Sequence, residues 1–209
     1  QTYYHDAQNG FWRMSLFIPN AITKEEVNHD SAFCCGQTFG NFEQMLVDLQ
    51  EPLGETIPNF HNMELRLMQL REAVEADKVA RVSTVSDMLN ALSQDANDMC
   101  LAEQLYRQGA LPKRICHCDT KVNNMMFDKV LCVIDLDTVM PSFVFSDYGD
   151  FLRTGANFVA EDSDQYESVG LNEEIFCAFT EGYLSSAAPF LTPIEVNHLP
   201  YAVALFPYM

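Results

Sequence analysis

The hydrophobic positions of this chain recur mostly at helical spacing. Apolar residues lie three or four positions apart from Phe39 to Leu49, which predicts a helix over about 31–49. The same spacing predicts further helices over about 62–78, 84–108, 147–158, 172–187 and 193–209.

Short apolar runs predict β structure at two places. Near the N-terminus, the aromatic and aliphatic run 11–18 is typical of a strand that ends at Pro19 and Asn20. In the middle of the chain, three strand-like pieces flank polar loops at 117–124 and 135–142. These pieces span 114–116, 125–127 and 131–134. The pattern therefore predicts an α+β chain that is mostly helical, with a small central β element.

Three features of the chain suggest missing residues. The link from Phe127 to Leu131 is very short for a strand connection and holds no Gly or Asn. We therefore expect residues to be absent near Asp128, so that the numbering would run across a gap. The chain also begins at Gln1 rather than Met and stops inside an apolar stretch at Met209. We expect it to be truncated at both ends.

Composition narrows the classes of partner. Hydrophobic residues make up 48% of the chain, which is enough for a packed core. The formal net charge of -18 repels nucleic acids and anionic membrane surfaces. No apolar run is long enough to span a membrane, and no signal peptide pattern is present. A nucleoside triphosphate remains compatible with this charge, because it binds together with Mg²⁺ and carboxylates can hold that ion.

The cysteines indicate a reducing compartment. There are seven, an odd number, and no disulfide spacing stands out. We expect free thiols and a cytoplasmic location. The run Cys116-His117-Cys118 could suggest a metal site, but neighbouring residues of a strand alternate in direction and rarely converge on one ion.

The central polar loop carries a kinase-like pattern. His117-Cys118-Asp119-Thr120-Lys121-Val122-Asn123-Asn124 matches H-x-D-x-x-x-x-N. Phosphoryl transfer needs a carboxylate that orients the acceptor hydroxyl and takes its proton, and Asp119 fits that role. It also needs an oxygen ligand for Mg²⁺, which Asn124 supplies. Lys121 lies where a cation could offset charge on the transferred phosphate.

A second motif follows one strand later. Val133-Ile134-Asp135-Leu136-Asp137 is an apolar strand that ends in an acid, and this order would deliver Asp135 to the same cleft as a metal ligand. Asp137 would point the same way by strand alternation if the strand continues that far.

A third motif reads SDYGDFLR, over 146–153. Asp147 is typical of a helix N-terminus, Asp150 could fix the metal loop, and Arg153 could pair with one of these acids or with substrate. These three residues, with His117, are expected to support the site structurally.

Taken singly, each motif residue has a simpler interpretation. His117 could be a hydrogen-bonded core histidine, Asp119 could cap a turn, and Asp135 could be a solvated acid at a strand end. The ordered set of strand, loop, strand and acid favours a convergent phosphoryl-transfer site instead.

The three motifs together resemble the aminoglycoside phosphotransferase and choline kinase superfamily. The strings HCDTKVNNMMFD, LCVIDLDTVMP and SDYGDFLR are most similar to N-acetylhexosamine 1-kinases and their bacterial relatives. The resemblance implies a kinase-like, two-lobed fold, of which 23–209 would be the helical catalytic (C-terminal) lobe and 1–22 a hinge strand and linker. It implies ATP as phosphoryl donor and Mg²⁺ as cofactor.

The resemblance also implies roles for individual residues. Asp119 would be the catalytic base, and Asn124, Asp135 and Asp137 would lie at the metal. Backbone groups of the hinge residues Leu16, Phe17 and Ile18 would meet the adenine. The acceptor would be the anomeric hydroxyl of N-acetylglucosamine or N-acetylgalactosamine.

The chain departs from the family pattern at its N-terminus. None of its nine glycines forms a G-x-G phosphate loop, and no Lys precedes Lys24. We therefore expect this fragment alone to be inactive.

Two alternatives stay open. The acceptor could instead be an aminoglycoside, choline or homoserine, because the motifs serve chemistry common to all of them. The chain could also be a non-catalytic, kinase-like binding module. Hydrolysis is disfavoured, because the motifs C-x-P-x-R, G-x-S-x-G and H-E-x-x-H are absent.

Overall fold

The computed structural model describes residues 3–127 and 131–209. The short link near Asp128, where we expect missing residues, lies outside this described part. About half of the described residues are helical. The α-helices are α1 (His29–Leu46), α2 (Met63–Ala76), α3 (Ser86–Asp95), α4 (Leu101–Arg107), α5 (Phe145–Gly155), α6 (Glu173–Ala187), α7 (Pro193–Asn197) and α8 (Leu199–Tyr208).

The strands of the described part form small antiparallel pairs. Ile115 lies opposite Pro141 in one pair, and Met125 lies opposite Val133 in another. A chain of helices with small antiparallel sheets is consistent with a kinase-like α+β fold. The pairs are β1 (Tyr4–Asp6) with β2 (Gly10–Trp12), β3 (Arg114–Cys116) with β6 (Met140–Ser142), and β4 (Met125–Met126) with β5 (Cys132–Val133).

Two predicted helices are each divided in the structure. The stretch 84–108 forms α3 and α4, which are separated by a 3-10 turn at Asp98–Cys100. The stretch 193–209 forms α7 and α8, because Pro200 falls in the first turn of α8. Proline is compatible with a first helical turn but cannot continue a preceding helix, since it lacks the N–H that the preceding turn requires.

The predicted strand over 11–18 is only partly correct. The structure has a strand at Gly10–Trp12, paired with Tyr4–Asp6, and residues 13–18 form no strand. An apolar run predicts a strand only where a partner strand is available, and within the described residues none pairs with 13–18. The chain then reaches the β4–β5 sheet through Ile22, whose N–H and carbonyl bond to Phe127.

Close packing of α1 on α6 forms the centre of the core. A Cβ at Gly36 would meet the carbonyl oxygen of Phe179, and one at Gly182 would meet that of Phe33. Only glycine lets two helix backbones approach this closely. This contact places Glu43 of α1 beside Tyr183 of α6 in the interior, under the 117–124 loop.

One large cluster of buried apolar residues forms most of the core. Buried apolar residues of α1, α5, α6 and α8 form one continuous cluster with Val122 and Met125. No helix within 3–127 or 131–209 combines the length and the apolar character that a membrane crossing needs.

Candidate functional site

The 117–124 loop brings Asp119 and Asn124 into direct contact. The amide nitrogen of Asn124 donates to Asp119 Oδ2 at 2.9 Å and to the Asp119 carbonyl at 2.8 Å. The other carboxylate oxygen, Oδ1, lies 3.3 Å from Lys121 Nζ. A 3-10 turn at Val122–Asn124 returns the chain toward Asp119 and makes this contact possible.

The second motif is bonded to the same loop on both sides of Asp135. The N–H of Ile134 donates to the Asn124 carbonyl at 3.0 Å, and the Ile134 carbonyl accepts from His117 Nε2 at 2.8 Å. Beyond Asp135, the hydroxyl of Thr138 donates to the His117 carbonyl at 2.8 Å. Asp135 therefore stands beside the residues that carry Asp119 and Asn124.

Two non-glycine residues of the site adopt left-handed backbone conformations. The φ angles are 65° for Cys118 and 59° for Asp135. Cys118 directly precedes the predicted base Asp119, and Asp135 is itself a predicted metal ligand. Such conformations cost about 1–3 kcal/mol each and persist only where surrounding contacts enforce them. The strain indicates that the loop geometry is held by its neighbours.

His117 is a buried support of the loop. Its ring is fully buried and makes edge contacts with Phe39 and Phe42 of α1. Nε2–H donates to the Ile134 carbonyl, and Nδ1 accepts the N–H of Asp119 at 3.3 Å. This pair of bonds requires the neutral ring with its proton on Nε2.

Asp147, in the first turn of α5, holds the backbone of the loop. Its two carboxylate oxygens accept the N–H groups of His117 and Cys118, both at 2.7 Å. The hydroxyl of Thr120 donates to the Asp147 carbonyl at 2.7 Å. Burial raises the pKa of Asp147, while the two backbone N–H groups act in the opposite direction.

Asp150 and Arg153 continue this support one turn later. Asp150 Oδ2 accepts the N–H of Thr120 at 2.9 Å, and its Oδ1 accepts from Arg153 Nη2 at 2.9 Å. Arg153 also pairs with Glu161. Burial raises the pKa of Asp150, and the Arg153 guanidinium limits that rise. These contacts are those that a support of the loop requires, and the role itself stays a prediction.

Asp137 does not share the geometry expected for it. The strand ends at Val133, and Leu136–Thr138 form a 3-10 turn, so strand alternation does not apply. The Asp137 carboxylate pairs at 2.5 Å with Arg13, and both side chains are exposed. The reason for grouping it with Asp135 is therefore wrong, and its place at the metal stays a prediction without that support.

The predicted hinge residues lie in an exposed segment. Leu16 and Phe17 are 95% and 86% exposed, which is unusual for residues of this size, and Ile18 is half-buried. The segment has no strand partner within the described residues, so its backbone N–H and C=O groups are not used in strand pairing.

A buried acid near the loop escaped the sequence reasoning. Glu43 occupies the apolar stripe of α1, four residues after Phe39, and is almost fully buried. Its carboxyl oxygen, the Cys116 thiol and an Asp147 oxygen all lie within 4.8 Å of one another. The available signal was an acid at a position where helical spacing predicts an apolar residue.

A sequence model of the phosphotransferase enzyme family, APH, matches residues 12–176. The match covers more than three quarters of the 209 residues. It contains the 117–124 loop, Asp135 and the whole of α5. The chain therefore belongs to the phosphotransferase enzyme family, within the aminoglycoside phosphotransferase and choline kinase superfamily of kinase-like small-molecule phosphotransferases.

Proposed function

We propose that this chain supplies the catalytic lobe for transfer of the γ-phosphate of ATP to a sugar hydroxyl, and that the acceptor is the anomeric hydroxyl of an N-acetylhexosamine. The main support for a phosphoryl-transfer site is that Asn124 forms hydrogen bonds with both motifs. Its amide binds Asp119, and its carbonyl accepts the N–H of Ile134, the residue before Asp135. The acceptor itself is supported by the resemblance of the three motif strings to N-acetylhexosamine 1-kinases.

Asp119 would orient the acceptor hydroxyl and take its proton. Its carboxylate is held by Asn124 on one oxygen and faces Lys121 on the other, and its side chain is 25% exposed. The group is therefore fixed but reachable, as a general base must be. Lys121 would turn from Asp119 toward the transferred phosphoryl group and offset its negative charge.

Asn124 and Asp135 would hold Mg²⁺. The amide nitrogen of Asn124 is used by Asp119, which leaves its amide oxygen for a metal. No ion pair engages the Asp135 carboxylate within the described residues, and hard oxygen donors of this kind suit Mg²⁺. A Mg²⁺ ion held by these residues would offset negative charge on the nucleotide phosphates. Asp137 would join only by leaving Arg13.

The 1–22 segment would act as a hinge and linker, and 23–209 as the helical catalytic lobe. Backbone groups of Leu16, Phe17 and Ile18 would bind the adenine. The bonds between Ile22 and Phe127 fasten the end of this segment to the β4–β5 sheet, next to Asn124. A nucleotide held along the segment would thus be directed toward the metal ligands.

One observation favours a second class of acceptor. A cavity of about 290 Å³ beside Lys121 is lined by the acids Glu25, Glu26 and Glu161. Glu161 is paired with Arg153, but within the described residues Glu25 and Glu26 form no ion pair, and their carboxylates attract a cation more readily than a neutral sugar. An aminoglycoside or a choline-like amine is therefore the alternative acceptor.

An acceptor panel tests the proposal. The complete protein with ATP and Mg²⁺ is assayed for ADP release with N-acetylhexosamines, aminoglycosides, choline and homoserine. The proposal predicts the highest kcat/KM for an N-acetylhexosamine, with a sugar 1-phosphate as product. Higher kcat/KM for a cationic acceptor would overturn the sugar assignment. Nucleotide-dependent thermal stabilisation without turnover on any acceptor would indicate a binding module instead.

A further inference from the structure

A buried acid, Glu43, lies beside Asp147, which holds the backbone of the 117–124 loop. Within the described residues, the buried side-chain oxygens without a hydrogen-bond partner are Oε1 of Glu43 and Oε2 of Glu103. The other Glu43 oxygen accepts the hydroxyl of Tyr183 at 2.6 Å. An ionised carboxylate with a single donor in the interior is costly, so the environment of Oε1 needs an explanation.

The ionisable groups closest to the Glu43 carboxyl come from three other elements. They are Cys116 of β3, Asp147 of α5 and Tyr183 of α6. No cation forms an ion pair with Glu43 in the described part of the chain. Arg114, the nearest guanidinium on β3, is paired with Glu195 instead. The pocket therefore holds two carboxyl groups, and the charge of Arg114 offsets the rise in the pKa of Glu43 only in part.

The oxygens of Glu43 and Asp147 lie within 4.8 Å of each other, which disfavours ionisation of both carboxyl groups, and their contacts differ in which ionised form they stabilise. Asp147 accepts backbone N–H groups on both oxygens, which favours its ionised form. Glu43 has only the Tyr183 hydroxyl. Burial and the charge of Asp147 raise the pKa of Glu43 well above its ordinary value.

We infer that Glu43 is a positioning residue whose neutral carboxyl donates a hydrogen bond from Oε1 to the Asp147 carboxylate. Asp147 in turn fixes the N–H groups of His117 and Cys118, directly before Asp119. A sideways movement of Asp147 would shift the strained backbone at Cys118 and displace the base. This inference rests on the proposed function of the 117–124 loop.

A metal ion is a weaker explanation for the same cluster. Glu43, Cys116 and Asp147 are possible ligands and are all buried. Burial raises the pKa values of the Glu43 carboxyl and the Cys116 thiol well above their ordinary values, so a metal would have to offset the cost of ionising both groups.

Infrared spectroscopy of the complete protein tests the protonation state without turnover. At neutral pH, the wild type should show the carbonyl band of a protonated carboxylic acid that Glu43→Gln removes and Glu103→Gln leaves in place. Glu103 is the matched control, a buried glutamate with one unpartnered oxygen whose other oxygen accepts the N–H of Met63 at 2.7 Å. If Glu43→Gln removes no such band, Glu43 is ionised and the inference is wrong. A stoichiometric metal that is lost in Glu43→Gln would also overturn it.

Steady-state kinetics then test whether Glu43 positions Asp147 or only fills space in the core. Glutamine keeps an acceptor for Tyr183 and a donor for Asp147, so Glu43→Gln should keep kcat within about threefold of wild type. Glu43→Met with Tyr183→Phe removes the donor at similar volume and leaves no orphaned hydroxyl. This double variant should lower kcat about tenfold, with little change in the KM for ATP, as loss of a bond to a charged group implies.

Two kinetic results would contradict the inference. One is wild-type kcat in the double variant, and the other is equal impairment in Glu43→Gln. If the double variant does not fold, the infrared band decides. If the wild type is inactive on all acceptors, the proposed function fails while the band still tests the protonation of Glu43.

Discussion

Replacing Asp147 by asparagine tests how the backbone of the 117–124 loop is held. The Asp147 carboxylate accepts two N–H groups at 2.7 Å, from His117 and Cys118, in a fully buried position. Asparagine offers one oxygen, so one charge-assisted hydrogen bond is lost and its NH₂ group opposes a backbone N–H. Loss of such a bond costs about 1.5–3 kcal/mol, and an unsatisfied buried donor costs about 1–3 kcal/mol. Relief of the buried charge offsets part of this cost.

We expect a net loss of about 2–4 kcal/mol in the free energy of unfolding. Urea denaturation at neutral pH measures it, with Asp162→Asn as a control at an exposed acid, for which the change should stay within about 0.5 kcal/mol. Hydrogen exchange at the His117 and Cys118 amides should accelerate in Asp147→Asn beyond the global effect. A loss below about 1 kcal/mol with unchanged exchange at both amides would refute this account of the loop.

Three further predictions concern a buried ion pair, a helix contact and the loop lysine. Burial alone would raise the pKa of Glu195, but the bonds from Arg114 and Thr192 outweigh it and hold that pKa below its ordinary value of 4.5. The stabilisation is therefore present above about pH 4.5 and lost as pH falls further, so Glu195→Gln should cost about 3 kcal/mol in urea at pH 7 and clearly less in acid; a pH-independent cost would contradict this. Gly36→Ala should cost about 1–3 kcal/mol, because its Cβ meets a helix backbone, and a thermal midpoint equal to wild type would show that α1 and α6 pack less closely. Lys121→Met should lower kcat about 10²-fold with a smaller change in the KM for ATP, and steady-state kinetics showing the reverse pattern would assign Lys121 to nucleotide binding.

Local patterns predicted the helices and the order of the motifs well. The helix expected over 172–187 is observed at Glu173–Ala187, and the strand expected over 114–116 at Arg114–Cys116. Helical periodicity arises because one face of a single element is buried, so the order of apolar residues in the sequence is enough to predict it. The strand expected over 11–18 is observed only at 11 and 12, because strand formation depends on a partner strand and an apolar run does not specify one.

In the candidate site, too, the local geometry was predictable from the sequence, whereas contacts between distant elements were not. The spacing within the 117–124 loop predicted that Asp119 and Asn124 would point to one place, and their side chains are hydrogen-bonded. Glu43 was missed because its neighbours come from three other elements, and only tertiary packing brings them together. Strand alternation does not relate Asp137 to Asp135, because a left-handed residue at Asp135 ends the extended backbone.

Removal of the Asp119 carboxylate tests whether the 117–124 loop catalyses phosphoryl transfer. In the complete protein with ATP, Mg²⁺ and the best acceptor, Asp119→Ala should lower kcat by at least ~10²-fold, the low end for loss of a general base. Thermal stabilisation by Mg²⁺ and ATP should persist, because Asn124 and Asp135 remain. A variant that keeps wild-type kcat would contradict the assignment of this carboxylate as the base for phosphoryl transfer.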